Sequence, residues 1–508
     1  MTSHRGAGPQ GPDRAGPDAP WVLPSHDDPV VSGASQLIGG PLGRRAAVAS
    51  SWWTPLRMLV VLALFASLLG VVLHSPCRKS GWGDPVKVYT HACYTDVVPL
   101  YTGRGLAAGV VPYFGDPTLA GAEPVEYPVV TGMVMWLTSL PVPKSWSISA
   151  QGVAYYDVNA AVGALLLVVV VWATTLVARR RPWDAAMVAL APGVVLSATI
   201  NWDLWAVAFT SLALLMWARR YPLGAGLLLG LGVAAKFYPL LLLGPLFLLC
   251  LRAGRLRAFG LALLGTVVTW AAINVPVMVT HFDGWARFYE LSRDRGADYG
   301  SPWLVLSGWG VDLSDVNRVN EWGMVSLIVL CAGVGVLILA APRRPRFAQV
   351  AFLTLAAFVL TNKVYSPQYV LWLIPLAVLA RPRWRDFLLW QAVEVGYFVS
   401  VWWYIHSFSD PDRAMPAGTY YVVVVLHLVA LAAYCAMVVR DVLLPRYDVV
   451  RVTDGDDPSG GPLEDAPDRL ALGPWARRHN TLRDPAELPT IAGSVDVEPT
   501  ASGNSATG

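Results

Sequence analysis

Four apolar stretches, at 56–73, 154–177, 258–279 and 420–439, are each long enough to cross a lipid bilayer as a helix, and they restrict the chain to a membrane fold. A hydrocarbon layer about 30 Å thick needs about 20 residues rising about 1.5 Å each. Backbone N–H and C=O groups in lipid must be bonded internally, and a helix does this within one segment. Of the 508 residues, 55% are hydrophobic and 14% charged, far from the charged share of about 25% usual in soluble domains. The net charge of +3 is spread over short clusters between apolar runs, which excludes the basic face of a nucleic-acid binder.

Shorter apolar segments at about 184–200, 203–217, 222–235, 238–251, 323–341, 347–361, 367–380 and 386–404 raise the expected crossings to about twelve. The clusters Arg179 to Arg181, Arg219-Arg220, Arg252 to Arg257, Arg343 to Arg346, Arg381 to Arg385 and Arg440 to Arg446 fall in alternate loops. Short Arg-rich loops stay cytoplasmic, and Arg44, Arg45 and Arg57 put the N-terminus on the same side. Counting Val129–Leu140 as a crossing would invert every later cluster. Bounded by Pro128 and Pro141, it is expected as a half-embedded or interfacial helix. The expectation is thus an all-α, multi-pass plasma-membrane protein with both termini cytoplasmic and a long first outward loop, about 74–153, carrying interfacial helices. The first apolar run starts too late for a cleaved signal. Residues 1–50 and 445–508, rich in Pro, Gly, Asp and Ser, are expected as disordered cytoplasmic tails around a transmembrane domain over 51–444.

The outward loops hold the residues suited to chemistry. In the first, Asp96 stands among tyrosines, with His91, Arg104 and Glu126 nearby. A carboxylate at the bilayer boundary, tuned by partial burial, can take a proton from a hydroxyl; the plain alternative is a helix cap. The turns Ala235-Lys236-Phe237-Tyr238-Pro239 and Lys363-Val364-Tyr365-Ser366-Pro367-Gln368 each set a cation between apolar runs. Together they would hold an anionic group; singly, the lysines would snorkel and the tyrosines would join the interfacial aromatic belt. Asp203 would cap its helix or meet one of these lysines. Cys77 and Cys93 share the first outward loop, where an oxidising compartment permits a disulfide. The outward histidines are scattered, so neither a metal nor a cofactor is expected.

The ensemble Tyr94-Thr95-Asp96, Arg104-Gly105-Leu106, Glu126-Tyr127-Pro128, Asn201-Trp202-Asp203 and the two lysine turns resembles glycosyltransferase family 87, over about 56–440. The resemblance implies a GT-C-like fold and transfer of a sugar, foremost mannose, from a polyprenyl-phosphate donor to a lipid or glycan acceptor on the extracytoplasmic face. It implies Asp96 as general base, with Lys236, Lys363 and Arg104 stabilising the departing phosphate beside Tyr238 and Tyr365. Glu126, Asp203, Gln368 and His91 would support them. A multi-pass transporter or lipid flippase is the competing reading; it calls for inverted repeats and mid-helix charges, whereas the acids and lysines here gather at outer helix ends.

Overall fold

The computed structural model describes residues 28–37, 52–454 and 457–472, and among them every regular element is helical. Among the described residues five helices are long and apolar enough to cross a membrane: Pro55–Leu73, Ile148–Val177, Leu256–Thr280, Val316–Ala340 and Ala417–Leu443. Their starts follow local chemistry. Thr54 caps the first with Pro55 behind it, Ser147 caps the second, and Asp315 caps the fourth. Ser147 therefore starts its helix at Ile148, several residues inside the expected loop.

Burial is inverted relative to a soluble bundle. In Val316–Ala340 only Val319 and Ile338 are buried, while Val325, Ile328, Val329 and Val336 face outward, as lipid requires. The shorter helices Phe347–Thr361 and Val370–Ala380 form the interior, the second buried along its whole length. Between them lies the turn 362–369, which is thereby fixed at the end of this buried pair. Helix Pro222–Ala235 packs backbone to backbone against Leu256–Thr280. A Cβ added at Gly230 would meet Thr266 O at 2.6 Å, so small residues set this approach and with it the position of Lys236 at the helix end.

Two segments differ from simple crossings. Residues 182–197 break into short helices, Pro182–Ala185, Ala186–Ala189 and Pro192–Ser197, because Pro182 and Pro192 donate no backbone hydrogen bond. Val129–Ser139 has 11 residues, about 16 Å at helical rise, about half the layer. It wedges against helices 148–177, 222–235 and 256–280, and Thr131 donates to Ala235 O at 2.6 Å.

The arginine clusters converge on one face, and the C-terminal segment covers them. Asp468 bonds both Arg252 and Arg344, at 2.7 and 2.9 Å, Glu464 bonds Arg179 at 2.8 Å, and Asp465 bonds Arg220 at 2.7 Å. Buried Arg346 pairs with Asp448 and donates to Leu379 O and Ala380 O, each at 2.7 Å. Residues 445–472, expected as disordered tail, are thus packed structure where described. Polar composition alone misses that their acids complement the arginines of the loops. Pro29–Leu37, also within an expected tail, is a helix beside Trp384–His406. The rest of both expected tails lies outside the described residues.

Arg346→Ala takes from buried Asp448 its two-pronged cation, leaving Gln349 at 3.1 Å and Arg451 at 3.5 Å, and is expected to cost about 3 kcal/mol, whereas Glu464→Gln, at a part-exposed contact, costs under about 1 kcal/mol. Thermal denaturation of the purified chain in one detergent checks the contrast; equal losses would contradict it.

Candidate active site

A cavity of about 810 Å³ opens at the end of the bundle opposite the arginine face, lined among others by Asp96, Glu126, Lys236, Arg295, Asn362 and Gln368. These come from five separate stretches of chain. The first loop is tied down before it delivers Asp96: Thr95 Oγ1 donates to Thr199 O at 2.8 Å, and the Asp96 N–H to Ile200 O at 2.7 Å. A disulfide joins Cys77 to Cys93, and Trp82 Nε1 donates to Cys93 O at 3.0 Å, which fixes the chain just before Tyr94.

Asp96 precedes helix Val97–Gly103, yet its side chain makes no capping bond. Its Oδ1 instead accepts from the Tyr94 hydroxyl at 2.8 Å, and its Oδ2 faces the Tyr127 hydroxyl at 3.5 Å. The carboxyl lies deep in the fold while keeping part of its surface on the cavity. Burial pushes it up to about 6; the Tyr94 hydrogen bond and the charge of Lys236 pull the other way, and Asp203 and Glu126 add to the rise. Such a group is a carboxylate at neutral pH and a better proton acceptor than an ordinary aspartate.

Beneath it, Lys236 Nζ meets Asp203 Oδ1 at 2.9 Å, and Trp372 Nε1 donates to Asp203 Oδ2 at 2.9 Å. Lys236 also sits 5.2 Å from the Tyr127 ring centre. Asp203 therefore meets a lysine, one of its two expected alternatives. Tyr238 lines the cavity, its ring stacked on Trp372 at 4.8 Å and its hydroxyl on Thr210 at 3.1 Å.

Other expected residues stand elsewhere. Arg104 grips Glu126 with two donors, Nη2 at 2.7 Å from Oε1, and Glu123 at 3.3 Å; it holds Glu126 on the wall and is not itself a lining residue. Lys363 turns away, its Nζ donating to Arg293 O at 2.9 Å and to Asn320 Oδ1 at 2.5 Å, because the loop from 282 to 322 offers it acceptors. Tyr365 is fully buried below the cavity, its ring 4.2 Å from that of His427. His91 is exposed beside Thr90. Conversely, Tyr94, Tyr127, Trp372 and Arg295 line the cavity without having been assigned roles. The first two lay inside the quoted motifs, and a tyrosine two residues from a lone acid was the available signal. Among the described residues no three His, Cys, Asp or Glu side chains are grouped to hold a metal.

Residues 125–362 match the family model of glycosyltransferase family 87. The match covers 238 of the 508 residues. The matched region holds Glu126, Asp203, Lys236 and Arg295 and stops short of Asp96 and Lys363. A stretch of 164 residues, 30% of this chain, is 27% identical to GPI mannosyltransferase 1 of Kluyveromyces lactis. It spans 40% of that relative's length. A helical membrane chain similar to family 87 over its middle thus carries, in one cavity, a raised carboxyl and a largely buried cation.

Asp203→Asn removes the countercharge from Lys236 in a nearly closed setting, where the Lys236 side chain is 16% exposed and that of Asp203 1%. The expected loss is about 3–5 kcal/mol of stability, read by thermal denaturation. A variant as stable as the parent would show that the pair does not hold the cavity floor.

Proposed function

We propose that this chain is a family 87 glycosyltransferase that moves a hexose, foremost mannose, from a polyprenyl-phosphate donor to a lipid or glycan hydroxyl, with inversion, on the extracytoplasmic face. The observation that carries the reading is the uncapped Asp96 carboxyl, raised by burial, opening on the same cavity as Lys236. The acceptor oxygen attacks the anomeric carbon while Asp96 takes its proton. The bond from that carbon to the phosphate oxygen breaks, and the electron pair stays with polyprenyl phosphate. Phosphate leaves without being protonated where a cation meets the growing charge, and Lys236 fills that role beside Tyr238 and Gln368. Arg104 acts through Glu126, and Lys363 by fixing the loop it bonds. No metal or cofactor enters the proposal; the lipid-linked sugar is substrate.

Mannose rests on the name of the yeast relative and on the family. The orientation rests on charge: the arginine face would be cytoplasmic and the cavity outward, with about twelve crossings and both termini inside at the plasma membrane.

Asp96→Asn is expected to lower transfer from radiolabelled polyprenyl-phosphate mannose by at least about a hundredfold, the usual contribution of a general base, while leaving detergent stability intact. In the parent, Asp96 is protonated and inert as a base below its raised value, so the rate should climb between about pH 5 and 7 and then level off. Full activity in the variant with the same acid limb would remove Asp96 from the chemistry.

A further inference from the structure

Arg295 lies outside every motif quoted above, between helices Phe282–Asp294 and Pro302–Gly308, and it lines the same cavity as Asp96 and Lys236. Its side chain is 47% exposed against 16% for Lys236, so one cation sits at the mouth and one at the floor. The mouth position is rigidly set from behind. Asp298 N donates to Lys363 O at 2.8 Å, Tyr365 N to Tyr299 O at 3.0 Å, and Gly300 N to Tyr420 Oη at 3.1 Å. Gly300 has φ +74° and leaves no room for a Cβ beside Tyr365 O and the Tyr397 hydroxyl, so the loop can turn there only as glycine. The lysine turn that was expected to supply a cation thus supplies a backbone anchor, and the anchored loop presents Arg295.

Asp298 engages the guanidinium along its Nε and Nη2 edge, with Nε 2.7 Å from Oδ2. The Nη1 edge offers further donors in the planar fork that matches phosphate oxygens. The charge of Arg295 reaches the hydroxyls of Tyr94, Tyr127 and Tyr369 around the cavity. Arg104 is committed to Glu126 and Lys363 to Arg293 O and Asn320, so neither competes for a ligand here.

We propose that Arg295 binds the phosphoryl group of a lipid substrate at the cavity mouth, exchanging its Asp298 contact for phosphate oxygens. This rests on the reading above that the cavity takes a lipid-linked phosphate. The phosphate would belong either to the polyprenyl donor or to a phosphodiester lipid acceptor.

The test uses the full chain in zwitterionic nanodiscs, with binding of short-chain polyprenyl phosphate, polyprenol of equal length and phosphatidylinositol. Arg295→Gln should weaken one of the two phosphates by about tenfold and leave polyprenol unchanged, with Arg295→Lys between. Loss for polyprenyl phosphate assigns the donor; loss for phosphatidylinositol alone assigns the acceptor. Asp298→Asn keeps an oxygen for the Tyr299 N–H, which Asp298 Oδ1 accepts at 2.6 Å, and should not weaken either phosphate. Unchanged affinity of Arg295→Gln for both phosphates overturns the proposal, as does an equal loss in Asp298→Asn, which would mark a merely structural loop. A parent chain that treats polyprenyl phosphate and polyprenol alike overturns the donor reading instead, and the phosphatidylinositol arm still decides Arg295.

Discussion

The ion pair of Lys236 with Asp203, tightened by the indole of Trp372, joins three helices at the end of the bundle opposite the arginine face. Asp203 opens helix 203–218, Lys236 ends helix 222–235, and Trp372 belongs to the buried helix 370–380. Charges this deep are tolerated only when paired, so the three ends have to meet wherever the rest of the bundle allows it. Above the pair the walls cannot close, because Tyr127, Tyr238 and Tyr369 stand around it as large rings. The result is a cavity whose floor is polar and whose walls are aromatic, the combination that small-molecule sites share. Asp96 is placed over this floor by the Thr95 hydroxyl, which donates to Thr199 O, and by its own N–H, which donates to Ile200 O, next to the start of the same helix.

The opposite end is organised by the other charge arrangement. There the arginines come from loops and the carboxylates largely from the C-terminal segment, so Asp448, Glu464, Asp465 and Asp468 stitch together helices far apart in sequence. Both ends use ion pairs, but with different consequences. The pairs of Asp448, Glu464, Asp465 and Asp468 join the C-terminal segment to the bundle, whereas the Lys236–Asp203 pair lies at the base of open volume beside an acid that burial makes harder to ionise.

The apolar runs and the alternation of arginines were legible from composition, since lipid imposes length and translocation imposes charge placement. Asp96, Glu126, Asp203, Lys236, Tyr238 and Gln368 were legible as candidates because each stands at a helix end beside a turn, and the structure brings all six to one cavity or its floor. Lys363 and Arg104 were not legible in their actual roles, because a cation's partner depends on which acceptors the fold delivers. Arg104 found Glu126 and Lys363 found Arg293 O and Asn320. Arg295 was hidden for the converse reason: among Arg293, Asp294 and Asp298 it reads as one more solvated loop charge, and only the pairing of 298–300 with 363–365 turns it inward. The C-terminal segment was misread because low apolar content argues for disorder only when no partner surface of opposite charge is waiting.

We propose transfer of a sugar from a lipid phosphate in this cavity. Its most direct test is incubation of the purified chain with a panel of radiolabelled polyprenyl-phosphate sugars and a membrane lipid extract, followed by separation of the products. The account predicts label moving from one polyprenyl-phosphate sugar, mannose first, into a new lipid or glycan product, with unlabelled polyprenyl phosphate released. Transfer from a nucleotide sugar with none from any polyprenyl-phosphate donor would contradict it.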